Sequence, residues 1–168
     1  MNRKNTTIIP ALVDFMLSSL RFGWDMALSL ASSLRRRGWV CGLFLVATTL
    51  VAYGPAVPLA LKAAARLQEE SGMSAEVIDL RCLVPLDMET VLMSVQKTGR
   101  CVVISQAVSM GSFTGEVAST IQHEAFDYLD APVVRVGAKN GIAPQSHVLE
   151  AVFYPRVEDI VAAARSIL

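Results

Sequence analysis

The stretch RRRGWVCGLFLVATTLVAYGP, residues 35–55, holds the choice between two folds. Three arginines precede a run of 24 residues, Gly38 to Leu61, without a single charge. About 20 apolar residues suffice to span a bilayer, and a basic flank is the usual mark of its cytoplasmic side. The same letters also read as a buried strand, because Leu45 to Tyr53 is rich in Val, Thr and Leu and is stopped by Gly54-Pro55. Pro55 and Pro58 interrupt any long helix, and Lys62 opens a polar face. A strand followed by an amphipathic helix is therefore the preferred reading. A membrane-anchored α/β domain using residues 38–61 as a span is the alternative.

Outward from this point the chain divides in two. Residues 1–45 show no clean period. Phe15 to Leu34 has helical character, but Gly23, Asp25 and several serines spoil the stripe, so the segment is expected to be helical or disordered and has no assigned role. Residues 46–168 alternate strand-like and helix-like runs. After the first strand, Val57, Ala60, Leu61, Ala64 and Leu67 form a helical stripe, with Pro58 in its first turn and Gly72 at its end. Ala75 to Leu80 reads as a second strand. Met88, Val91, Leu92 and Val95 form a second helix, with Asp87 as N-cap and Gly99 beyond its end.

Cys101 to Ile104 is apolar on consecutive residues, as in a strand covered on both faces. A helix is expected from Phe113 through Val117 and Ile121 to Phe126 and Leu129, then a strand at Val133 to Val136, and a closing helix from Pro155 to Leu168. This alternation implies a three-layer α/β/α sandwich on a mostly parallel sheet. Ligands of such sheets bind beyond the carboxyl ends of the strands, here Tyr53-Gly54-Pro55, Leu80-Arg81, Ser105-Gln106 and Gly137-Ala138.

Composition narrows the function classes. Fifteen basic and fifteen acidic side chains cancel, which gives no broad attraction for nucleic acid. Cys41, Cys82 and Cys101 are far apart and odd in number, so neither a disulfide framework nor a zinc knuckle is indicated, and a reducing cytoplasm fits. His123 and His147 lack ligand-spaced partners and read as surface or cap residues. No nucleophile elbow, Walker loop or dinucleotide fingerprint is present.

Two weaker constellations remain. Met110-Gly111-Ser112-Phe113-Thr114-Gly115-Glu116 joins a strand to a helix N-terminus, where free N–H groups suit an anion, but Glu116 already supplies negative charge there and a plain turn is the simpler reading. Asp79, Asp87 and Glu89 lie close in sequence and could do acid–base work. An N-cap and an exposed helix end are the simpler roles.

Four blocks, Leu50-Val51-Ala52-Tyr53-Gly54-Pro55, Ala75-Glu76-Val77-Ile78-Asp79-Leu80-Arg81 with Pro85-Leu86-Asp87, Gly111 to Glu116, and Ala125-Phe126-Asp127-Tyr128-Leu129-Asp130-Ala131-Pro132-Val133, carry a resemblance. In one collinear order over about residues 46–168 they resemble the C-terminal domain of the β subunit of 2-oxo acid dehydrogenase E1 components, thiamine-diphosphate enzymes related to transketolase. The terminal Val157 to Arg165 helix fits as well.

The resemblance implies that the cofactor's diphosphate and Mg are held on an E1 α subunit, and that the activating glutamate lies on an N-terminal β domain which residues 1–45 do not resemble. The chain is then expected to bind no cofactor, to have no catalytic residue and to be inactive alone, as the last third of a β subunit behind a foreign front. It implies contacts with an E1 α subunit, a second E1 β subunit and the subunit-binding domain of the E2 acyltransferase. Asp130, with Ala131-Pro132, and Ile167 and Leu168 are the candidate partner contacts, where a terminal carboxylate could meet a basic patch. Ser105-Gln106 stands where many relatives carry His-Glu, and Asn140 where an aspartate is frequent. The oxo acid is left open among pyruvate, a branched-chain acid and an acetoin-related substrate.

Overall fold

The computed structural model describes residues 46–168. Four strands, β1 (Val46–Ala52), β2 (Ser74–Asp79), β3 (Cys101–Val108) and β4 (Val134–Ala138), form one sheet in the order β2-β1-β3-β4. Every pairing is parallel, with Leu50 opposite both Val77 and Val102, and Val102 opposite Val134. Helices α1 (Ala56–Ser71), α2 (Met88–Thr98), α3 (Phe113–Glu124), α4 (His147–Phe153) and α5 (Val157–Ser166) connect or follow the strands.

Consecutive residues of the central strands feed two separate cores. Leu50 and Ala52 of β1 and Val102 and Ile104 of β3 pack with Ala60, Ala63 and Leu67 of α1 and Ile160 and Ala164 of α5. Val51, Cys101 and Val103 face the other way, against Val91 and Val95 of α2 and Val117 and Ile121 of α3. The unbroken apolar runs thus arise because the strands are covered on both faces. The path turns back between β2 and β3, and the connecting helix moves to the opposite face, as a constant crossover hand requires.

Residues 46–61, the described part of that run, do not form a single transmembrane helix. Val46–Ala52 is a central strand with Leu50, Val51 and Ala52 fully buried, and a turn at Gly54-Pro55 separates it from α1. No helix among the described residues is long and apolar enough to cross a membrane. The expectations for residues 1–45 lie outside the described residues.

Local signals hold at the helix ends. Gly72 and Gly99 close α1 and α2 with φ of 65° and 68°, a conformation costly for other residues. Asp87 caps α2 by accepting from the Thr90 N–H at 3.1 Å and from its hydroxyl at 2.7 Å.

Four details differ from the sequence reading. The buried face of α1 is Ala56, Ala60, Ala63 and Leu67, whereas Leu61 is 56% exposed, because small alanines allow the helix close to the sheet. Helix α3 stops at Glu124, and Ala125 takes the buried place while Phe126 lies exposed in a short 3-10 turn, Phe126–Tyr128. Helix α5 begins at Val157, where the Asp159 carboxylate accepts from the Arg156 N–H at 2.9 Å. Helix α4 was not anticipated.

Candidate interaction surfaces at the two ends of the sheet

At the carboxyl end the crevice between β1 and β3 is the topological switch point. Several side chains at or beyond this end of the strands pair with one another or with backbone. The Tyr53 ring meets Phe113 edge to face with centroids 6.1 Å apart. The buried Ser105 hydroxyl accepts from the Ala107 N–H at 3.2 Å, and the Ser112 and Thr114 hydroxyls pair with each other. Arg135 of β4 crosses to donate to the Ser109 carbonyl at 3.1 Å. At Gly137 an added Cβ would lie 2.6 Å from the Ala107 carbonyl oxygen, so β3 and β4 approach here only because the residue is glycine.

The carboxylates singled out above do not converge on this crevice as an acid–base pair. Asp79 pairs with Arg81 at 3.0 Å. Asp87 is committed to its cap, and hydrogen bonds from Thr90 hold its carboxyl below the usual range. Glu89 lies in the first turn of α2. Among the described residues no group of three His, Cys, Asp or Glu comes together at metal-binding range. The Gly111–Glu116 turn places the Glu116 carboxylate in the first turn of α3. A carboxylate at that helix end opposes an anion such as a diphosphate.

The amino end carries the partner-contact candidates. The Asp130 N–H donates to the Gly99 carbonyl at 2.7 Å, which fixes the Asp130-Ala131-Pro132 corner beside the start of β3. The Arg100 guanidinium reaches a main-chain oxygen of Leu168 at 3.5 Å, so Asp130 and Leu168 flank the Gly99-Arg100 corner although they are distant in sequence. Asp130 is exposed, and Leu168 is 43% exposed. Ile167 is 7% exposed and belongs to the core beneath α5, so it anchors the end of the chain rather than presenting a surface. Arg100 itself was not anticipated; its Nε is buried and has no hydrogen-bond partner among the described residues.

A buried hydroxyl network supports this end. Thr49 of β1 bonds Ser94 at 2.8 Å and Thr98 at 2.9 Å, and Ser94 donates to Glu76 of β2 at 2.7 Å. Lys97 closes the chain at 3.4 Å from Glu76. Paired in this way, buried polar groups fix the seating of α2 on β1 and β2.

Comparison with known proteins gives the architecture its family. Residues 47–160 match the family described as transketolase, C-terminal domain. The pyruvate dehydrogenase E1 component subunit β of Rhizobium meliloti is 40% identical over 71% of this chain and 26% of its own length. That of Bacillus subtilis is 40% identical over 71% of the chain and 36% of its length. The 2-oxoisovalerate dehydrogenase subunit β of Pseudomonas aeruginosa is 38% identical over 73% and 33%. The chain thus spans about a third or less of the length of these relatives.

Among solved structures, a chain titled "Split gene transketolase, inactive beta4 tetramer" superposes with a TM-score of 0.63 and 30% identity over 73% of this chain and 38% of that one. The chain belongs to the transketolase C-terminal domain family, in the company of the β subunits of 2-oxo acid dehydrogenase E1 components.

Proposed function

We propose that this chain is an assembly domain of a 2-oxo acid dehydrogenase E1 β subunit, and that it performs no decarboxylation by itself. The carrying observation is a domain of this family with two packed cores, in which the Ser105, Ser112 and Thr114 hydroxyls and the Tyr53 and Phe113 rings near the carboxyl end of the sheet engage neighbours within the domain. Its work is contact. In the parent enzyme, an E1 α subunit holds the thiamine diphosphate and Mg, an N-terminal β domain supplies the activating glutamate, and copies of the β chain associate. The similarity to the solved beta4 tetramer of a split gene transketolase supports that association.

The amino end of the sheet is the docking place for the E2 subunit-binding domain. Asp130 and Leu168 supply the outer contacts there, and Ile167 holds Leu168 in place from below. Acidic Asp130 suits a basic partner surface. The free thiols of Cys82 and Cys101 fit a reducing, cytoplasmic setting. Relatives acting on pyruvate and on 2-oxoisovalerate match alike, so the substrate of the parent enzyme is assigned only as a 2-oxo acid.

Isothermal titration of the full chain with the cognate E2 subunit-binding domain tests the docking surface. Saturable binding is expected, weakened at least about tenfold by Asp130→Lys combined with removal of Leu168. Undiminished binding by that variant would contradict the assignment. A parallel titration with thiamine diphosphate is expected to be flat, and saturable binding there would overturn the claim that the chain holds no cofactor.

A further inference from the structure

Between β4 and α5 the chain makes an excursion, residues 139–153, closed at its base by the Lys139 N–H donating to the Phe153 carbonyl at 3.1 Å. It opens with Lys139-Asn140-Gly141, and all of these residues are exposed. The asparagines of the sequence are Asn2, Asn5 and Asn140, and of these Asn140 alone is followed by glycine. A backbone nitrogen in a helix or strand is held by its hydrogen bond. Among the described residues neither the Asn140 side chain nor the Gly141 N–H has such a partner. Gly141 has a φ of 156°, which L side chains rarely adopt, and a Cβ built on it would meet nothing nearer than the Phe153 ring at 3.8 Å. The Gly141 nitrogen is therefore open to approach through the fold as well as through its lack of a side chain.

We propose that Asn140 is a site of spontaneous covalent modification, at which its side-chain amide is lost as ammonia through a cyclic imide closed with the Gly141 nitrogen. Water is the only co-reactant, and nothing is oxidised or reduced. The Gly141 nitrogen gives its proton to solvent base and attacks Asn140 Cγ. The N–Cγ bond forms, the Cγ–Nδ2 bond breaks, and Nδ2 takes up a proton and leaves as ammonia. Water then opens the ring at either carbonyl carbon. Opening at Cγ leaves an aspartate in an ordinary main chain. Opening at the main-chain carbonyl carbon leaves an isoaspartate, in which the chain runs through Cβ and Cγ and the former carbonyl carbon bears the carboxylate.

The place of the site in the fold sets what the modification does. Either product adds a negative charge beside Lys139 and turns a chain of fifteen basic and fifteen acidic side chains into a net acid. The isoaspartyl form also lengthens the main chain next to the residue whose N–H closes the excursion. The change falls on the segment that carries the exposed Ile142, Val148, Leu149 and Val152, so the surface at this end of the sheet alters with the age of the molecule. This inference concerns the covalent state of the chain and goes beyond its reading as an assembly domain.

Peptide mass spectrometry of the full 168-residue chain, kept folded at physiological temperature in mildly alkaline buffer, tests the site. The peptide containing Asn140 is expected to convert with time into two acidic forms that separate by chromatography, aspartyl and isoaspartyl, and to do so faster at higher pH because the Gly141 nitrogen must give up its proton. Asn140→Gln, which would have to close a larger ring, is expected to lose both forms while the fold is kept, since the position is exposed. An Asn140 peptide that stays amidated in the folded chain while the urea-unfolded chain converts would overturn the proposal. Conversion to aspartate with no isoaspartate would overturn the imide route as well.

Discussion

Cys82 and Cys101 carry the same thiol in opposite surroundings. Cys82 is exposed, whereas Cys101, at the start of β3, is fully buried and its pKa is pushed up to about 12 by loss of solvation. Only the thiolate is nucleophilic, so alkylation followed by peptide mass spectrometry should label Cys82 rapidly in the folded protein and Cys101 only after denaturation. Rapid native labelling of Cys101 would contradict the packing of α2 and α3 over β3.

Gly137 is a second single-residue constraint. A methyl group there lies 2.6 Å from the Ala107 carbonyl oxygen, and backbone can yield only by parting β3 from β4, so Gly137→Ala should cost about 1–3 kcal/mol in urea denaturation. Asp87 gives a pH signature. Its folded-state pKa is depressed by Thr90, so its contribution is present above the unfolded carboxylate pKa and is lost as pH falls through the depressed value. The urea midpoint of Asp87→Ala should therefore lie below that of the wild type at neutral pH and converge with it in acid.

At the scale of elements, the strands were legible because their period is absent for a physical reason. Val46–Ala52 and Cys101 to Ile104 are apolar on both faces since helices cover both. The alternation of these runs with capped helices was enough for the sandwich, and Asp87, Gly72 and Gly99 marked ends where the backbone needs them. The face of α1 was less legible. Side-chain size favoured Leu61, but contact with β1, β3 and α5 is made by Ala56, Ala60 and Ala63, whose value lies in being small. Ala60→Leu should therefore destabilise by about 1–3 kcal/mol through overpacking, despite adding apolar surface. Helix α4 was illegible because its seven residues have no buried face to impose a stripe.

For the whole molecule, the family blocks spread over β1, β2, the β3–α3 turn and the corner before β4, and the parallel sheet brings them into one domain. Asp130 and Leu168 came together at one corner, yet the role of Arg100 between them depends on a contact across 68 residues that no local pattern announces. The amino end exposes Asp130 and Leu168, the contacts proposed above for E2, and the carboxyl end carries the exposed apolar residues of α4. Between them the Thr49 hydroxyl, bonded to both Ser94 and Thr98, ties α2 to the central strand.

The most direct test of the central claim is native mass spectrometry of this chain mixed with the cognate E1 α and E2 chains. The account predicts complexes containing this chain and no release of carbon dioxide from a 2-oxo acid by the chain alone. A chain that enters no complex, or one that decarboxylates a 2-oxo acid unaided, would contradict it.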